Sequence, residues 1–142
     1  MRGKINHPGR AQQIIDFSGL RYGNITPTDL DGLIEYQDEA YILIEIKYLD
    51  ALVPYGQNLA LERLTDDLER SGKPTLCIVA THDVSRTKDV VNGASAKVRK
   101  FRLKGGWCQY APELGITVKD LSDAFIRDTS VSPMALEFSL LR

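Results

Sequence analysis

Several things are missing from this 142-residue chain, and each absence closes off a class of protein. There is no long apolar run: the longest, over residues 41–46, is far too short to span a bilayer. Met1-Arg2-Gly3-Lys4 carries positive charge with no hydrophobic stretch behind it, so it does not read as a secretory signal, and a cytoplasmic protein without membrane attachment is expected. The two cysteines, Cys77 and Cys108, show no metal-ligand spacing and read as small buried hydrophobes in a reducing compartment. Neither sign of charge is in excess: 18 basic residues face 19 acidic ones, a net charge of −1, which argues against a sequence-blind coat for nucleic acid. Low-complexity tracts, internal repeats and a linker are also lacking, so one domain over residues 1–142 with one substantial core is expected.

What is present is an ordinary globular balance, 43% hydrophobic and 26% charged. Residues 7–17 carry helical spacing in Ala11, Ile14 and Ile15, with Pro8 suited to a first turn. Residues 31–36 and 40–48 read as strands joined by the short turn Gln37-Asp38-Glu39, hence an antiparallel hairpin. After a loop over residues 49–55, residues 56–71 form the clearest helix, with Ala60, Leu61, Leu64 and Leu68 on one face and Gly72 and Pro74 ending it. Residues 75–80 read as a buried strand, and the strand–helix–strand order predicts that it lies parallel to the strand before it. A second hairpin is expected from residues 97–103 and 107–110 turning at Lys104-Gly105-Gly106, then a short helix over residues 117–127. The last dozen residues carry no assignable pattern. The expected class is α/β.

The strand Tyr41-Ile42-Leu43-Ile44-Glu45-Ile46-Lys47-Tyr48 is apolar on both faces, the pattern of a strand covered on both sides. Glu45 and Lys47 sit two residues apart in it, so they project from the same face. Charges in such a place cost several kcal/mol or more unless paired or metal-bound. The hairpin brings the start of the preceding strand, Asp29-Leu30-Asp31-Gly32, beside the end of this one. Asp31 and Glu45 then converge with the Ile46 carbonyl nearby, an all-oxygen set of the kind Mg2+ or Mn2+ takes. Such an ion acidifies a bound water and stabilises charge on a transferring phosphoryl group, and Lys47 is placed to orient that water or neutralise the phosphorus centre. The competing reading is a Glu45–Lys47 pair on a solvated face with Asp29 and Asp31 as turn residues.

With Asp31-Gly32-Leu33-Ile34 on one strand and Glu45-Ile46-Lys47 on the next, the chain resembles the PD-(D/E)XK nuclease superfamily, in particular small phage and prophage members. The resemblance covers the first hairpin and the following helix, about half of the chain. It implies a restriction-endonuclease-like αβββαβ core with a central mixed sheet flanked by helices, a divalent metal held by Asp31 and Glu45, and Lys47 at the catalytic position. It also implies a polar residue on the helix after the motif, where Gln57 stands. Many members carry a Glu on the first helix that assists the metal; here that helix offers Gln12, Gln13 and Asp16, which leaves a second metal site open. Members with an acidic-X-Asp pattern use the second acid, which favours Asp31 as ligand and makes Asp29 a neighbour that tunes the site.

The one dense basic run is Lys97, Arg99, Lys100, Arg102 and Lys104, followed by Trp107 and Tyr110. Lys97 and Arg99 are expected on one strand face, and Lys100, Arg102 and Lys104 on the other; either face can meet phosphates, and Trp107 can stack on a base. Edge-strand lysines and a core tryptophan are the ordinary alternatives. His82 and Asp83 read as a loop following a strand. The expected activity is a Mg2+- or Mn2+-dependent deoxyribonuclease directed by DNA structure, possible as a homodimer presenting two sites. Its rivals are a non-catalytic nuclease-fold module that binds DNA or protein, and a hydrolase of small phosphate esters.

Overall fold

The structure, a computed structural model, describes residues 13–110 and 112–141. Its centre is a five-stranded mixed sheet in chain order: β1 (Gly32–Tyr36), β2 (Ala40–Tyr48), β3 (Thr75–His82), β4 (Lys97–Leu103) and β5 (Gly106–Gln109). Strands β1 and β2 pair antiparallel, β2 and β3 parallel, and β3, β4 and β5 antiparallel. The parallel step requires a crossover, supplied by helix α1 (Tyr55–Arg70). Helices α2 (Val118–Arg127) and α3 (Pro133–Leu140) follow β5. Thr117 caps α2 by accepting from the Asp120 N–H while Asp120 accepts from the Thr117 N–H, and Ser132 caps α3 ahead of Pro133. Among the described residues no helix is long and apolar enough to cross a membrane.

Strand alternation divides the core in two. Ile42, Leu76, Ile78 and Ala80 face α2 and α3 and pack with Phe101, Leu121, Phe125 and Leu136. Leu43 and Cys77 point the other way and meet Leu61 of α1. With both faces covered, β3 has six consecutive buried residues, Thr75 to Ala80, as a central parallel strand should. Burial pushes the Cys77 thiol up to about 11.

Four expectations need correction. The helix over residues 7–17 falls partly outside the described residues, and residues 13–17 form no helix. There the Asp16 carboxylate accepts from the Ser18 N–H (2.8 Å) and the Ser18 hydroxyl (3.1 Å), a local turn that competes with helical pairing. The αβββαβ order is not reproduced: among the described residues two strands, not three, precede α1. In the segment before β1, Tyr22 and Ile25 bond to each other across Gly23, at φ +65°, and join no sheet.

On α1 the inward residues are Leu61 and Thr65, while Leu64 is 45% exposed. The helix is rotated because Asn58, Glu62 and Asp66, four residues apart, all bond to β4 and β5. Finally, Val79 pairs with Lys100 and Ala80 with Val98, so Arg99 is an extra residue in β4. That bulge breaks the alternation expected for the basic run and turns Phe101, two residues after Arg99, fully into the core.

Candidate active site

Asp31 lies one residue before β1, and Gly32 pairs with Ile44, so continuing the register sets Asp31 opposite Glu45. Asp31 Oδ2 accepts the Ile46 N–H at 2.7 Å, which fixes the carboxylate against β2. Glu45 is buried, 3% exposed, on the face covered by α1. Its Oε1 meets Lys47 Nζ at 3.2 Å, and its Oε2 has no hydrogen-bond partner. Burial and then the Asp31 charge push the Glu45 pKa up, against the opposing pull of Lys47. Like charges opposite each other across a strand pair are unfavourable, and a buried carboxylate oxygen without a donor is more so.

Lys47 Nζ also donates to Gln57 Oε1 at 3.1 Å, and Gln57 Nε2 donates to the Asp29 carbonyl at 3.2 Å. Gln57 therefore joins α1, β2 and the segment before β1. The ammonium is held between two acceptors, leaving one of its three N–H groups to point elsewhere. These groups line a cavity of about 760 Å3, with Asp29, Asp31, Glu45, Lys47, Gln57 and Arg63 at its wall. Ile46 contributes backbone here, while its side chain packs against the core on the other face.

Asp31, Glu45, Lys47 and Gln57 are thus gathered in one place, with Asp29 beside them. Arg63, which the sequence did not single out, stands seven residues after Gly56 on the same side of α1 and lies at the same cavity.

The candidate substrate contacts divide. Lys97 and Arg99 border a second cavity, at the C-terminal ends of β2 and β3. Lys100, Arg102 and Trp107 point under α1 instead. Lys100 Nζ donates to Asn58 Oδ1 at 2.8 Å and lies 4.1 Å from the centre of the Trp107 ring. Arg102 makes a two-pronged pair with Asp66, both contacts at 2.8 Å, and Trp107 Nε1 donates to Glu62 at 2.6 Å. These three side chains fasten α1, and so Gln57, to the sheet.

Among the described residues no group of three or more His, Cys, Asp or Glu side chains is placed to hold a metal ion. The site offers a carboxylate pair, and Mg2+, which keeps several waters and binds through one or two carboxylates, suits that donor set better than zinc. The unpartnered Glu45 Oε2 beside Asp31 fits such a cation. Comparisons of the chain with protein-family models, with curated proteins and with solved structures found no match.

Proposed function

We propose that this protein is a Mg2+- or Mn2+-dependent deoxyribonuclease of the PD-(D/E)XK kind, cleaving phosphodiester bonds at the Asp31–Glu45–Lys47 site. The observation that supports this best is the orphaned Oε2 of buried Glu45, set against Asp31 and two residues from an amine held by Gln57. A salt bridge for stability alone would satisfy both carboxylate oxygens; this one leaves an acidic oxygen facing a second acid. Asp31 and Glu45 would hold the cation, which when bound would lower the pKa of a coordinated water and neutralise charge on the phosphate. Lys47, oriented by Glu45 Oε1 and Gln57 Oε1, directs its remaining N–H toward the attacking oxygen or a phosphate oxygen. Gln57 and the Asp31–Ile46 bond keep these groups in place before substrate arrives.

The test is incubation of linear, single-stranded and branched DNA with the protein and Mn2+, beside Lys47→Ala and Glu45→Gln, each checked for native circular dichroism. Cleavage by wild type, reduced about 100- to 1000-fold in both variants, is the expected result. Equal cleavage by wild type and Lys47→Ala, or none by any preparation, overturns the proposal; binding without cleavage then favours a non-catalytic nucleic-acid module.

A further inference from the structure

We infer that the cavity at the C-terminal ends of β2 and β3 receives an unpaired nucleobase of the strand being cut, next to the scissile phosphate. This rests on the nuclease reading above and deepens it, because it names the substrate as DNA with an unstacked nucleotide at the site. The cavity measures about 870 Å3 and lies one strand from the acidic site: Thr81 lines it, and Thr81 pairs with Lys47.

Its chemistry is that of a base pocket. Leu49, Val84, Val91 and Ala96 give it apolar walls. His82 lines the cavity and is braced there: its Nδ1 accepts the Val84 N–H at 3.1 Å, and its ring sits tilted at 51° against Tyr48 with centroids 5.4 Å apart. The separating turn is fastened, since Leu49 N–H donates to the His82 carbonyl, Thr81 Oγ1 donates to the Leu49 carbonyl, and Arg99 donates to the Ala51 carbonyl. Leu49 itself sits at φ +50°, an uncommon conformation for a branched residue, held by those bonds.

Charge sets the orientation of the ligand. Asp50, Asp83 and Glu113 line the cavity, so a phosphate is repelled from its interior, while a base amino group finds acceptors there. Lys97, also at the wall, and the guanidinium N–H groups of Arg99 that are not given to Ala51 are left to meet the backbone. Cytosine and adenine, each with an exocyclic amine, fit better than thymine, which presents a carbonyl at that position. A paired base cannot enter, so the pocket selects single-stranded ends and branch points.

The experiment is fluorescence anisotropy with labelled hexanucleotides of dC, dA and dT in EDTA, using wild type, His82→Ala, Val91→Trp to fill the cavity, and, as a control at an exposed cation paired with Asp67 away from both cavities, Arg70→Ala. The expected result is tighter binding of dC and dA than of dT, about tenfold weaker binding by His82→Ala and Val91→Trp, and wild-type binding by Arg70→Ala. Because Val91→Trp is a packing change, a second measurement follows the His82 ring proton by NMR during titration with dCMP and, separately, inorganic phosphate. A shift with dCMP only is expected. Wild-type affinity in both pocket variants, no base preference, or a shift with phosphate alone overturns the pocket. Dependence of binding on His82 and Val91 in a protein that cleaves nothing upholds the pocket while the nuclease reading fails. Cleavage that ignores both substitutions, with binding unchanged, does the reverse.

Discussion

Glu45 is where the sequence and the energetics conflict most sharply. Its carboxyl is raised by burial and by Asp31, so the folded state holds a proton more tightly than the unfolded chain. The associated stability is present in full below the ordinary value of 4.5 and is lost as pH rises through the raised folded value. Glu45→Gln, measured in EDTA by thermal unfolding, is expected to raise Tm at pH 8 and to remove the part of the pH profile that falls over this window. Subtracting the two profiles separates Glu45 from Asp66, which Arg102 holds below its ordinary range and which works in the opposite direction. Mg2+ or Mn2+ should raise the Tm of wild type more at pH 8 than at pH 5, by about 2.7 kcal/mol of stability at 100 times Kd, and leave Glu45→Gln nearly unchanged. Equal metal effects on both proteins would remove Glu45 from the proposed metal site. The pair Glu45 and Lys47 was legible from strand period alone, because two residues on one face is a local property. The unpartnered Oε2 was not, since it depends on what α1 and Asp31 bring over it.

At the scale of elements, α1 holds the site together. Asn58, Glu62 and Asp66 fasten it to β4 and β5, and Gln57 at its first turn reaches Lys47. The Arg102–Asp66 pair is half-buried and two-pronged, so Arg102→Ala is expected to cost about 1–3 kcal/mol in denaturant unfolding. The same substitution should lower kcat without altering the salt dependence of DNA binding, because the guanidinium is spent on the helix. A shallower salt slope in Arg102→Ala would show instead that it meets phosphate. Strand and helix positions were readable from alternation, Gly72 and Pro74, but helix rotation was not. Leu64 looked inward by spacing, yet the polar stripe at 58, 62 and 66 found partners on β4 and β5 and turned it out. The bulge at Arg99 was equally hidden, because an extra residue in a ladder shows only against its partner strand.

For the molecule as a whole, a net charge of −1 confines any attraction for DNA to local groups. Near the two cavities these are Lys47, Arg63, Lys97 and Arg99, and Lys47 and Arg99 are already engaged with protein oxygens. Binding of a single strand is therefore expected to weaken with salt at a log–log slope of about −2 to −3 between 50 and 200 mM. A slope steeper than about −5 would mean a basic surface elsewhere carries the contact. The sequence by itself determined the α/β class, both hairpins, the crossover helix and the Glu45–Lys47 pair, because each rests on periodicity or turn chemistry within a short stretch. Only the tertiary structure decided that Lys100, Arg102 and Trp107 bind a helix rather than solvent, that Gln57 bridges Lys47 to Asp29, and that His82 borders a cavity. Those outcomes depend on which strand lies beside which and how α1 is rotated, and these are long-range packing choices that no local pattern encodes.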